Sequence, residues 1–98
     1  MVVPVAVAST TRVRVIRLSG EIDASTVDLL VHAIEPHLDL TQGTIIVDLS
    51  EVTFLGTAGL RALVRAERHA NRMGSTLCLV SGTTAVKRSL AVLDVLRG

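Results

Sequence analysis

Thr57 stands in the stretch Ile45 to Leu60, IIVDLSEVTFLGTAGL, where strand-like residues give way to Gly56-Thr57-Ala58-Gly59 and then to a long helical pattern. A hydroxyl at the start of a helix has two uses. The plain one is capping, in which its oxygen accepts from an orphan helical N–H. The sharper one is acceptance of a phosphoryl group, which adds about −1.5 to −2 charges beside the positive end of the helix dipole. The helix tolerates that charge, but a partner docked on the loop would have to bury or repel it. Each 1.4 kcal/mol of repulsion costs about tenfold in affinity. The loop is not a nucleotide cradle: no Gly-Lys-Ser/Thr follows, and the second glycine comes too soon.

Asp23 and Asp48 fall at or near the carboxyl ends of adjacent predicted strands. A metal-assisted phosphoacceptor pocket needs a further acidic pair and a strand-end Lys, yet the only Lys, Lys87, is in a predicted helix. Simpler roles are a helix cap for Asp23 and a hydrogen-bonded strand end for Asp48. His32, His37 and His69 have no Cys or Asp at ligand spacing and no paired nucleophile, so they read as surface or half-buried residues. The single Cys78 sits between Leu77 and Leu79 and reads as a small apolar residue inside a strand. No metal, no cofactor and no catalytic constellation are expected.

The totals bound the rest. Ninety-eight residues suit one domain, and a 49% hydrophobic fraction argues against disorder. The apolar residues are aliphatic apart from one Phe, and the net charge is +1, so no field or stacking surface draws the chain to nucleic acid. No apolar run reaches the ~20 residues of a spanning helix. The N-terminus lacks a basic region and carries Pro4, so a cytoplasmic protein without membrane insertion is expected.

The elements that must position Thr57 follow from periodicity. Val2 to Ala8, interrupted by Pro4, predicts an edge strand. Ser9-Thr10-Thr11 predicts a turn, and Val13 to Leu18 a second strand in antiparallel hairpin with the first. Ser19 to Thr26 reads as a break that opens a helix, capped by Asp23 or Ser25. Val27, Leu30, Val31, Ile34 and Leu38 form one buried helical face, which Pro36 kinks or ends. Ile45 to Leu49 predicts a central strand covered on both faces, with Ser50 to Leu55 leading to the Thr57 loop. A helix from about Ala58 to Met73 closes at Gly74. Its arginines 61, 65, 68 and 72 share a stripe that reads as a solvated face or as an acid-seeking partner surface. Thr76 to Ser81 predicts a short buried strand, Gly82 to Thr84 a turn and cap, and Ala85 to about Leu93 a third helix.

Four blocks carry a resemblance. Leu18-Ser19-Gly20-Glu21-Ile22-Asp23 resembles the Leu-Ser/Thr-Gly-Glu-Leu/Ile-Asp that opens the first helix of STAS domains. Ile46 to Phe54 resembles the central strand of that family and the turn after it. Phe54-Leu55-Gly56-Thr57-Ala58-Gly59-Leu60 resembles its Phe-Met/Leu-Asp-Ser-Ser-Gly-Leu loop. Ala85-Val86-Lys87-Arg88 resembles the Ala-Val-x-Arg that opens a later helix. Within the family, the chain is similar to bacterial anti-sigma-factor antagonists. The resemblance implies a mixed, mostly parallel sheet of about four strands with the N-terminal hairpin, about three helices, and a single domain over residues 1–98. It implies a partner that is both anti-sigma factor and serine/threonine kinase-like protein. Dephosphorylated antagonist binds that partner and frees the sigma factor; phosphorylated antagonist lets go.

Mapped onto this chain, the acceptor is Thr57, with Asp23 beside it. The expected partner surface is Asp23, Ser25, Gly56, Thr57, Ala58, Gly59, Arg61 and Arg65. Two departures stand out: Gly56 replaces the Asp before the acceptor, and Ala58 replaces the second Ser. The family also commonly continues with one more strand and a closing helix, whereas Val95 to Gly98 can at most begin that strand. A bare sheet edge there would allow a homodimer. The alternative is a STAS subunit of a transporter or signalling assembly that is never phosphorylated.

Overall fold

A computed structural model describes residues 3–9 and 12–92. The chain runs β1 (Val3–Ser9), β2 (Val13–Ile22), α1 (Val27–Ile34), a single 3-10 turn (Glu35–His37), β3 (Thr44–Leu55), α2 (Thr57–Arg72), β4 (Thr76–Ser81) and α3 (Thr84–Ala91). The strand order is β1-β2-β3-β4. β2, β3 and β4 are parallel, and β1 lies antiparallel along the outer edge of β2. The fold is thus α/β, with three helices on a parallel sheet. The turn expected at Ser9 to Thr11 falls partly, and the strand start expected at Val95 to Gly98 wholly, outside the described residues.

Two strands are longer than their apolar runs predict. β2 continues through Ser19-Gly20-Glu21-Ile22, where a break was expected, and β3 continues through Ser50 to Leu55, where a loop was expected. The two extensions pair with each other: Ser19 with Glu51, Gly20 with Val52, Glu21 with Phe54 and Ile22 with Leu55. Register shifts before Ser19 and between Gly20 and Glu21 absorb mismatched residues, and Gly20 takes φ +92 at the second. That conformation is open to glycine and costly for a residue with a Cβ.

Among the residues whose burial is described, one face of the sheet is the core face. Ile16 and Leu18 of β2 and Ile45, Val47 and Leu49 of β3 are fully buried, together with Leu30 and Ile34 of α1 and Leu63 of α2. Ile46, of opposite phase on β3, is half-buried, and Thr76, Cys78 and Val80 on β4 are exposed. This corrects the expectation of a central strand covered on both faces and of a buried Cys78. Apolar type at alternate positions does not say which positions a helix covers.

The helix ends follow local chemistry. α1 stops at Ile34, and the chain passes into the 3-10 turn with Pro36 in its first turn, where a missing N–H does no harm. α2 closes with Gly74 at φ +79: the Gly74 N–H donates to Asn71 O and the Ser75 N–H to Ala70 O, the paired bonds of a Schellman end. Ser75 is buried, accepts from the Gly43 N–H at 3.1 Å and donates to the Leu40 carbonyl. It ties the exit of α2 to the loop before β3. Replacing a hydroxyl that satisfies two backbone groups leaves both unpaired, so Ser75→Ala is expected to lower stability by about 1–3 kcal/mol, read as a shifted urea midpoint with unchanged slope.

Candidate functional site

The paired ends of β2 and β3 bring two loops side by side. Ile22 opposes Leu55, and the Gly56 N–H donates to the Ile22 carbonyl at 2.8 Å. Asp23 therefore leaves β2 where Thr57 begins α2. Gly59, one turn into α2, is buried; a Cβ there would come within 2.6 Å of Ile22 Cγ2 and 2.7 Å of Leu55 Cδ1. The missing side chain lets α2 seat against both strand ends. Gly59 thus shapes the site from below rather than offering a surface to a partner.

The plain account of Thr57 is corrected. The N-cap of α2 is Gly56, with φ −88 and ψ 179, and Thr57 is the first helical residue. Its residue is exposed, and its hydroxyl has no hydrogen-bond partner among the described residues. The first intrahelical bond runs from Leu60 N–H to Gly56 O at 3.0 Å, which leaves the N–H groups of Thr57, Ala58 and Gly59 without an acceptor among the described residues. No acidic residue occupies the first turn. The result is an exposed hydroxyl, unpartnered among the described residues, on a helix end with no acidic residue in its first turn.

Asp23 is engaged in its own turn. One carboxylate oxygen accepts from Ser25 N–H at 2.9 Å, Ser25 Oγ at 2.6 Å and Thr26 N–H at 3.1 Å. Thr26 Oγ1 accepts from the Asp23 N–H and donates to Glu21 O, both at 2.9 Å. The N-cap of α1 is Thr26, so neither Asp23 nor Ser25 holds that position; Asp23 instead organises the turn in front of it. The Ser25 hydroxyl first, with the backbone groups behind it, holds the Asp23 carboxyl below its ordinary range.

Asp48 does not join this site. It lies well inside β3, paired across to Arg17 at 3.2 Å and accepting from the Ser50 N–H at 2.9 Å. Hydrogen bonds from Ser50, then the Arg17 guanidinium, hold its carboxyl below the usual range. The strand-end placement failed because β3 runs on past Leu49. His32 bonds the Asp28 carbonyl, and His69 pairs with Asp39 at 3.1 Å. Burial, then the charge of Arg14, lowers the His37 value. Among the described residues no group of three His, Cys, Asp or Glu side chains could hold a metal ion, and no helix is long and apolar enough to cross a membrane.

Arg61 and Arg65 are exposed on successive turns of α2, Arg61 nearer Thr57. Phe54 was missed by the sequence reading as a site residue. The only aromatic residue of the chain is 50% exposed and close to Gly56, where a Cβ would meet its ring at 3.2 Å. A lone Phe after the mostly polar Ser50-Glu51-Val52-Thr53 was the available signal, and its exposure comes from the register shift that pairs Gly20 with Val52 and Glu21 with Phe54.

The STAS domain family model matches residues 4–97. An anti-sigma factor antagonist from Mycobacterium paratuberculosis superposes with a TM-score of 0.83 at 26% identity, covering 97% of this chain and 80% of that one. The anti-sigma factor antagonist SpoIIAA in its unphosphorylated form gives 0.72 at 20% identity, covering 90% and 80%. The Bacillus cell fate determinant SpoIIAA in its phosphorylated form gives 0.64 at 19% identity, covering 91% and 84%. The last two are likenesses of fold. A search of curated proteins finds no significant match.

The lowered Asp23 value has a definite sign. Its contribution to stability is complete above the unfolded value near pH 4 and is lost as pH falls through the lower folded value. Thermal melts of Asp23→Asn are therefore expected to fall less steeply than wild type below about pH 4. Superimposable pH profiles of the two proteins would show that the turn hydrogen bonds add nothing.

Proposed function

The chain belongs to the STAS domain family, and on that premise we propose that it is a cytoplasmic anti-sigma-factor antagonist. It binds a serine/threonine kinase-like anti-sigma factor through the Thr57 loop and so releases the sigma factor. Phosphorylation of Thr57 by that partner ends the complex. The observation that carries the reading is the exposed, unpartnered Thr57 hydroxyl on the first turn of α2, at the position the family resemblance assigns to the acceptor.

The physics of such a switch suits this site. A phosphate on Thr57 would lie beside the N–H groups of Thr57, Ala58 and Gly59, which have no acceptor among the described residues, and at the positive end of the dipole. It would stabilise the free protein slightly while placing about −1.5 to −2 charges in the interface. Asp23, Ser25, Gly56, Ala58, Arg61 and Arg65 surround or flank the contact, and Phe54 supplies an apolar anchor beside it. One oxygen of Asp23 accepts three hydrogen bonds that hold the neighbouring loop in shape. The outer edge of β4 has no further strand among the described residues and is where two copies would pair. No observation favours the alternative of an unphosphorylated assembly subunit.

Gly56 is not held as glycine by its backbone. Its φ of −88 is open to any residue, and the tightest contact of an added Cβ is the half-exposed Phe54 ring. Gly56→Asp would supply an N-cap carboxylate, worth a few tenths of a kcal/mol over glycine. It is expected to leave the fold intact and to speed phosphate incorporation from a kinase-type anti-sigma factor of the same genome; slower incorporation would rule out a recognition role for that carboxylate.

The direct test is titration of wild type and Thr57→Glu against that anti-sigma factor. The variant is expected to melt at or slightly above the wild-type temperature and to bind at least about tenfold more weakly. Equal affinities would remove the switch. Intact-mass measurement of protein from its own cells should show one phosphoryl increment that disappears in Thr57→Ala.

A further inference from the structure

α1 and α2 leave a groove of about 250 Å³ between them. Leu30 and Ile34 of α1 face Ala62 and Ala66 of α2 across it, and the two small residues leave the space unfilled. The volume lies below the roughly 300–1,000 Å³ of small-molecule sites. It suits an anchoring aliphatic side chain better than a whole ligand.

The rim carries charge with a helical repeat. Arg61, Arg65, Arg68 and Arg72 lie on one exposed stripe of α2, and Arg65 and Arg72 border the groove. At 1.5 Å per residue the stripe is roughly 16 Å long. None of the four has an ion pair among the described residues. Like charges three and four residues apart destabilise a helix, so the stripe is not explained by the stability of α2. Glu35 is the one acid on the groove's border and does not balance it. His69 at the same mouth already pairs with Asp39.

We propose that this groove docks an acidic amphipathic helix of a partner protein. An aliphatic side chain of that helix enters the notch over Ala62 and Ala66, and carboxylates at matching helical spacing meet the arginines. A single carboxylate on an acyl chain would leave most of the stripe unused, which is why a helix is the occupant favoured. The groove runs along α2 from Ala62 to Arg72 and shares Arg65 with the contact proposed for the Thr57 loop, so the peptide probe and the Thr57→Glu titration are read separately.

The test uses the whole chain, labelled for backbone NMR. The probe is a synthetic peptide of about five helical turns with Leu along one face and Glu on both flanks. The controls are the same peptide with Gln for Glu, and octanoate. The acidic peptide is expected to shift resonances of Ile34, Ala62, Arg65 and Ala66 and to leave those of Gly56 and Thr57 in place. The Gln peptide, and the acidic peptide with Arg65→Glu/Arg72→Glu, are expected to bind about tenfold or more weakly. Both changes are on exposed side chains, and Ala66→Leu, which fills the notch with the arginines intact, should weaken binding as well. Absence of localised shifts at millimolar peptide, or equal binding by the charge-reversed variant, overturns the proposal. Saturable shifts of the groove with octanoate and none with the peptide replace it by a small-molecule site. Sedimentation showing a dimer that Arg65→Glu/Arg72→Glu dissolves replaces it by a self-interface. Each result is independent of the Thr57→Glu titration.

Discussion

The hydrogen bond from the Gly56 N–H to the Ile22 carbonyl is the constraint on which the site depends. It closes the ladder between the extended ends of β2 and β3. It fixes where α2 starts, and so where Thr57 points into solvent. On the other strand it fixes where the chain leaves β2, and so where Asp23 builds its turn. Gly59 completes the arrangement, because only a residue without a side chain lets the first turn of α2 rest on Ile22 and Leu55 at this distance. The site is thus a product of strand pairing and close approach, and no charged pair among the described residues holds it together.

That arrangement separates two tasks which neighbouring polar residues are often assumed to share. One oxygen of the Asp23 carboxylate is engaged by Ser25 and Thr26. The hydroxyl of Thr57 has no partner among the described residues. The chain presents an exposed hydroxyl and a shape.

Much of this was legible from residue types. The buried faces of α1 and α2 follow from Leu30, Ile34, Leu60, Leu63 and Ala70 at helical spacing, and the end of α2 from Gly74. The four motif blocks carried the family. What was not legible came from long-range pairing. Ser19 to Ile22 and Ser50 to Leu55 look like loops because Ser19, Glu21, Ser50, Glu51 and Thr53 are polar, and only their mutual pairing makes them strands. The same oversight displaced Asp48 to a strand end it does not occupy. Cys78 was read as buried because its neighbours are leucines, whereas its phase on β4 turns it to the uncovered side. The groove between α1 and α2 had no sequence signal beyond alanines at 62 and 66 on the buried face of α2.

A consequence follows from Thr57 belonging to a helix whose N-cap amide is bonded to a strand. Threading this residue through a catalytic cleft as extended chain would cost the Gly56–Ile22 bond, the first turn of α2 and the seat of Gly59 all at once. An enzyme acting here has to read a folded epitope, assembled from β2, β3 and α2 together. Short peptides spanning the loop would lack that epitope, and discrimination among potential substrates would rest on surface shape rather than on a linear string of flanking residues.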